Sequence, residues 1–223
     1  MKYQWIFFDA DETLFSFDAF QGLRKMFAEY GVDFDQHHFD EYSLLNKPLW
    51  EAYQHGKISA DELQTTRFNQ WAKKLSRQPS ELNHAFLMAM ADICHPLDGV
   101  EQMLNELAGK VRFGIITNGF TVMQDLRLQR TGLKSYFDFV VVSENIGLPK
   151  PHPSIFQHAL TLSESVDKSA VLMVGDTLAT DILGGQNSGL DTCWLSHGKQ
   201  NTTAIQPTYQ IDSMKRLVEI VRL

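Results

Sequence analysis

The apolar run Trp5-Ile6-Phe7-Phe8 stops abruptly at two aspartates one residue apart, Asp9 and Asp11, with Thr13 close behind. A run this short cannot be a helix of its own and reads as a buried strand of a parallel sheet. In open sheets of that kind the chemistry gathers beyond the carboxyl ends of the strands, where both aspartates would sit. Two carboxylates this close repel each other, and desolvation adds to the cost unless a cation or hydrogen bonds compensate. A hard divalent cation such as Mg²⁺ suits one or two carboxylate oxygens. The spacing alone is equally compatible with a solvated Asp-rich turn capping the next helix.

Beyond this strand the pattern changes. Phe17, Phe20, Leu23 and Phe27 step at three and four residues. So do Phe39, Tyr42, Leu45 and Leu49, then Leu63, Phe68, Trp71 and Leu75, and finally Leu82, Phe86, Leu87 and Met90. This predicts a helical domain of four or five helices over 16–94, with turns near Gly31, Gly56 and Pro79 and a capping box at Ser59–Glu62. From Pro96 the pattern alternates. Strands are expected at 111–116, 139–142, 170–174, 191–195 and 208–211, and helices at 97–107, 120–131, 153–163, 178–188 and from 213. The expected fold is a doubly wound parallel sheet, formed by 1–15 and 95–223, with the helical domain inserted. The polar stretch from His197 to Pro207 reads as a surface loop.

Composition narrows the partners. The chain of 223 residues carries a formal net charge of −7, so neither nucleic acid nor an anionic membrane is expected as a partner through bulk attraction. An anionic substrate would have to be held by local positive charge or a metal. Cys94 and Cys193 lie far apart in no ligand-like spacing and read as buried thiols in a reducing compartment. The N-terminal apolar run is too short for a signal peptide, and no apolar stretch is long enough to span a membrane, so a cytoplasmic protein is expected.

Four polar places fall at predicted carboxyl ends of strands. They are Asp9/Asp11, Thr117-Asn118-Gly119, the segment leading to Lys150, and Gly175-Asp176 with Asp181 five residues further. Each alone has an ordinary reading: a turn with a helix cap for Thr117-Asn118 and Gly175-Asp176, a stiff loop with a solvated lysine for Lys150-Pro151-His152-Pro153.

Together, D-A-D-E-T-L, I-I-T-N-G, K-P-H-P-S-I-F and V-G-D-T-L-A-T-D resemble, in order and spacing, the four motifs of the haloacid dehalogenase (HAD) superfamily. One departure is Glu12, where the commonest form has Gly; Glu fits there if the backbone is not left-handed. The resemblance implies a Rossmann-like core and a phosphatase with four kinds of site residue. Asp9 would be the nucleophile and Asp11 the general acid and base. Mg²⁺, with Mn²⁺ able to substitute, would be held by Asp9, Asp11 through its carbonyl, and Asp176, with Asp181 nearby, through water or as an orienting group. Thr117, the backbone after it including Asn118, and Lys150 would hold phosphate. The presence of Asp11 separates this chain from the dehalogenases of the same fold, which attack carbon and typically lack that residue.

The helical insertion lies where this superfamily places its C1 cap. The wording I-F-F-D-A-D-E-T-L-F, N-K-P-L-W and I-I-T-N-G-F resembles the bacterial pyrimidine 5′-nucleotidase branch and implies a nucleoside monophosphate substrate. Asn46, Lys47, Trp50 and Arg67 are the cap candidates for nucleoside contact, although surface polar residues and a bundle Trp explain them as well. A phosphatase or phosphomutase acting on sugar phosphates is the alternative, and a catalytically idle binding protein a second. A cap lysine (Lys47 or Lys57) forming a Schiff base, as in phosphonatases, is the less favoured route. A monomer or homodimer is expected.

Overall fold

The structure, a computed structural model, describes residues 1–164 and 167–222. In chain order its elements are β1 (Trp5–Phe8), α1 (Ala19–Ala28), α2 (Gln36–Gln54), α3 (Ala60–Thr66), α4 (Asn69–Leu75), α5 (Pro79–Ile93), α6 (Val100–Leu107), β2 (Arg112–Thr117), α7 (Thr121–Arg130), β3 (Phe137–Val142), α8 (Ser143–Ile146), α9 (Pro153–Leu162), β4 (Val171–Gly175), α10 (Leu183–Asn187), β5 (Asp191–Leu195), β6 (Tyr209–Ile211) and α11 (Leu217–Arg222). They fall into two compact units. One comprises 1–16, 95–120 and 131–222, the other 17–94 with 121–130.

The first unit is built on one six-stranded sheet of order β3-β2-β1-β4-β5-β6, with every neighbouring pair parallel. All six strands therefore present their carboxyl ends at one edge. The strand order reverses between β1 and β4, the place where open α/β sheets form a crevice. The run Trp5–Phe8 is buried along its whole length, as a strand covered on both faces must be. On one face Trp5 and Phe7 pack with Ile155, Phe156 and Leu160 of α9, and Ile6 and Phe8 on the other are equally buried. Fully burying side chains of this size contributes about 1.5–3 kcal/mol each.

The second unit is helical. Gly31 and Gly56 take φ of +70° and +66° at its turns, and Ser59 and Glu62 exchange the two bonds of a capping box. Its core is aromatic: Phe27 stacks on Phe34 with centroids 4.7 Å apart, and Tyr42, Phe68 and Phe86 form a second group. The expected helix after Thr117-Asn118-Gly119 is present as α7, yet it groups with this unit and not with the sheet. The reason is local. The buried side of α7 carries Met123 and Leu128 and packs in this unit with α5, and Arg130 reaches Asp92 at 2.5 Å. Among the described residues, no helix is long and apolar enough to cross a membrane.

Candidate active site

The carboxyl edge of the sheet brings together residues far apart in sequence. Asp9 directly follows β1, and its N–H donates to the Val174 carbonyl of β4 at 2.8 Å. Thr117 ends β2 and is buried, its hydroxyl oxygen accepting the Gly119 N–H at 3.0 Å. Lys150 is 1% exposed, and its ammonium donates to Asp9 Oδ1 (2.5 Å), to Asp181 Oδ1 (2.8 Å) and to the Ile116 carbonyl (2.7 Å). A lysine so buried is affordable only with such partners. Burial works against its charge, but the Asp181 and Asp9 carboxylates prevail and hold the ammonium more firmly protonated than usual.

Asp181 owes its position to a π-helical turn over Leu178–Ile182, a form that recurs at functional sites. The turn folds Asp181 back so that its Oδ2 accepts the Thr177 N–H at 3.0 Å and its Oδ1 the Thr180 hydroxyl at 3.1 Å. Gly175 makes room for it: a Cβ there would overlap the Asp181 side chain.

Asp9, Asp176 and Asp181 each offer a carboxylate oxygen within 4.8 Å of the others'. The electrostatics show what this crowding costs. Burial pushes Asp9 up to about 8, Lys150 opposing and Asp181, Asp11 and Asp176 adding to it. Burial and then Asp181 raise Asp176 to about 6. Carboxylates raised in this way would regain their charge on a bound cation. A donor set of hard oxygens alone fits Mg²⁺ better than a softer metal.

The remaining expected residues divide. Asp11 is half-buried and stands in the same loop as Asp9, close enough to raise it. Asn118 has its side chain engaged within the protein: it donates to the Lys150 carbonyl at 3.0 Å and accepts the Lys150 N–H at 2.7 Å. Its side chain is thus committed to the Lys150 backbone. Asn46, Lys47 and Trp50 lie on α2 in the helical unit, with Asn46 Oδ1 buried and accepting no hydrogen bond. Arg67 is 4% exposed; its guanidinium donates to Asn83 and lies over the Phe68 and Phe86 rings. The cap candidate at this position is an interior residue, not the surface polar residue of its ordinary reading.

Glu12 corrects an expectation. Its φ is +55°, in the left-handed region that a non-glycine residue enters at a cost of about 1–2 kcal/mol. Glu takes a left-handed backbone here, at a position where the commonest form of the motif has Gly. Two further residues were not visible in the motifs. Trp194, near the end of β5, donates its indole N–H to the Asp176 carbonyl at 2.8 Å, and His197 Nε2 lies 2.7 Å from the Glu12 carbonyl oxygen. The available signal was position: both stand at or just past a predicted strand end. The polarity of the stretch from His197 to Pro207 hides that position for His197.

A parallel sheet of this order, with a Lys-bridged carboxylate cluster where its strand order reverses, is the Rossmann-like α/β core of a HAD-type hydrolase. A model of the haloacid dehalogenase-like hydrolase family matches residues 3–189, and the chain belongs to that family. It is 50% identical to the pyrimidine 5′-nucleotidase YjjG of Escherichia coli, over 99% of each chain. It is 34% identical to the pyrimidine 5′-nucleotidase PynA of Streptococcus pneumoniae, over 98% of this chain and 95% of that one. Among solved structures, the putative HAD-hydrolase YfnB of Bacillus subtilis bound to magnesium superposes with a TM-score of 0.84, at 28% identity and over all of both chains.

Proposed function

We propose that this protein is a Mg²⁺-dependent 5′-nucleotidase that hydrolyses nucleoside 5′-monophosphates, pyrimidine ones in preference, through an aspartyl-phosphate on Asp9. The observation that carries the chemistry is the buried Lys150 ammonium bridging Asp9 and Asp181 at the edge where Asp176 also gathers. Two full-length relatives named as pyrimidine 5′-nucleotidases support the substrate class.

Asp9 attacks phosphorus in line, and its bond to phosphorus forms as the bond to the nucleoside oxygen breaks. Lys150 holds the attacking carboxylate in place and supplies positive charge toward the phosphoryl oxygens. Asp11 gives its proton to the leaving 5′-oxygen, then takes one from the water that attacks the phosphoaspartate. The Thr117 hydroxyl and the N–H groups after it donate to the phosphate oxygens at the end of β2. Asp9, the Asp11 carbonyl and Asp176 would hold Mg²⁺, with Asp181 orienting the set through its bonds to Thr177 and Lys150. Bound there, the cation would offset the repulsion between phosphate and carboxylate. Choice of nucleoside is ascribed to the helical unit, with Asn46, Lys47 and Trp50 of α2 as its carriers, and Arg67 as a residue that holds that unit's interior together.

The test is phosphate release from dUMP, dTMP, UMP, dCMP, the purine counterparts and glucose 6-phosphate, with Mg²⁺ and with EDTA. Metal-dependent turnover favouring pyrimidine monophosphates is expected. Preference for the sugar phosphate would overturn the substrate class and keep the mechanism. Equal turnover in EDTA would overturn the metal.

A further inference from the structure

Glu12 is left-handed without being glycine, and the peptides on both sides of its Cα are tied. Its N–H donates to the Phe15 carbonyl at 2.7 Å, which fixes the peptide shared with Asp11. Its own carbonyl oxygen meets His197 Nε2 at 2.7 Å. A carbonyl can only accept, so Nε2 carries the hydrogen. His197 is also left-handed, at φ +50°, and its place is set by Ser196, whose N–H and hydroxyl both donate to the Ile211 carbonyl, at 2.8 and 3.0 Å. The imidazole therefore projects from an anchored turn after β5 onto the loop after β1.

We infer that His197 is a positioning residue for Asp11, holding Glu12 in the left-handed backbone that aims the Asp11 carbonyl and side chain. Relaxation of Glu12 to negative φ would swing the peptide between Asp11 and Glu12 and turn both groups away from their places. Glycine at position 12 would favour the left-handed form unaided. Glu12 does not, and the clamp from His197 supplies what the side chain costs. Glu12 and His197 thus form a matched pair, and each makes the other necessary. The inference rests on the proposed function only for the role of Asp11.

A double-mutant cycle tests it, using His197→Asn and Glu12→Gly. Asn suits the left-handed backbone at 197 but is too short to span to Glu12. In the Mg²⁺-loaded enzyme acting on a nucleoside monophosphate, His197→Asn is expected to lower kcat at least about tenfold, because small displacements of a reacting group cost rate steeply. KM should stay within about twofold. In the Glu12→Gly background the same substitution should cost less than about threefold, a coupling that general destabilisation would not produce. Equal losses in both backgrounds, or no loss in either, would overturn the inference. An activity-independent readout accompanies it. Proton–nitrogen NMR should show the His197 ring hydrogen on Nε2, and exchange of the amide at position 12 should speed up in His197→Asn but not when Glu12→Gly is also present. An Nδ1–H tautomer, or unchanged exchange, would refute the clamp even if the wild-type protein hydrolysed no phosphate ester. Absence of turnover, in contrast, would count against the proposed function alone.

Discussion

The side-chain amide of Asn118 holds the backbone of Lys150 from both sides, donating to its carbonyl at 3.0 Å and accepting its N–H at 2.7 Å. The residue after β2 thereby places the lysine whose ammonium reaches the residue after β1. Asn118→Ala removes both bonds and should cost about 1–3 kcal/mol of stability, at roughly 0.5–1.5 kcal/mol per bond. Asn118→Asp keeps an acceptor for the N–H but faces the Lys150 carbonyl with a carboxylate, and should fare no better. Urea denaturation of both variants measures this. A loss within error of zero in both would show that the clasp is not what holds Lys150.

Lys150→Met should destabilise the metal-free protein by about 3–5 kcal/mol at pH 8, because Asp9 and Asp181 lose their shared buried cation. Protonation of Asp9, already raised by burial, relieves the repulsion, so the deficit should shrink as the pH falls toward 5. Denaturant unfolding in EDTA at the two pH values is the measurement. A deficit that is constant or grows on acidification would contradict the electrostatic account.

Asp9 is raised to about 8 and Asp176 to about 6 from an ordinary value of 3.8. Between the ordinary and the raised values the folded chain holds protons that the unfolded chain has released. These groups therefore stabilise the metal-free fold less and less as pH rises from about 4 to 8. Lys150, raised above 10.5, keeps its own contribution throughout that window and loses it only in alkali. Cation binding replaces the held protons, so the gain in Tm on adding Mg²⁺ should be larger at pH 8 than at pH 5. An equal or smaller gain at pH 8, read by scanning calorimetry, would be inconsistent with the cluster as the binding site.

Gly175→Ala should displace Asp181, whose side chain occupies the space a Cβ needs. Overpacking of this kind costs about 1–3 kcal/mol. Because Asp181 also bonds Lys150, turnover should fall at least about tenfold as the lysine shifts. Thermal unfolding and steady-state kinetics on the variant check both, and normal values for the two would show that Asp181 has room to move.

Asp9→Asn should abolish turnover while the fold persists, and Asp11→Asn should slow it by about 100-fold or more, within the usual range for removing a general acid. Phosphate release together with circular dichroism separates chemistry from folding. Substantial activity in Asp9→Asn would remove it as the nucleophile.

The parallel sheet was legible because Trp5–Phe8 and the later apolar runs are buried on both faces, and such strands announce themselves as unbroken hydrophobic stretches. The places of Asp9, Asp176 and Lys150 followed from strand ends and motif order. The rest depended on geometry that residue identity does not encode. Nothing in the letters distinguishes an Arg67 turned inward onto Asn83 from one on the surface, since both stand in a helical pattern. The left-handed backbone at Glu12 ran against the side chain's own preference, and the groups that meet it, the Phe15 carbonyl and the imidazole of His197, 185 residues away, are brought there by the fold. Likewise the π-helical turn that aims Asp181 shares its periodic signal with the α-helix expected there.

The placement of α7 bears on how this protein could be rebuilt. The chain passes between the two units at residues 16/17, 94/95, 120/121 and 130/131, so the helical unit is a composite of two separate stretches. Asp92 serves both, taking Lys25 from α1 at 2.9 Å and Arg130 from α7 at 2.5 Å. A chimera that transplants 17–94 alone into a homologous scaffold would leave behind a helix with which α5 packs. Exchange of the whole helical unit between relatives by recombination therefore has to move α7 as well, and with it the splice beside Thr117, Asn118 and Gly119. The proposed seat of nucleoside choice and the proposed phosphate-binding residues are thus joined in the covalent chain itself, and a crossover that separates them inherits a mismatched seam.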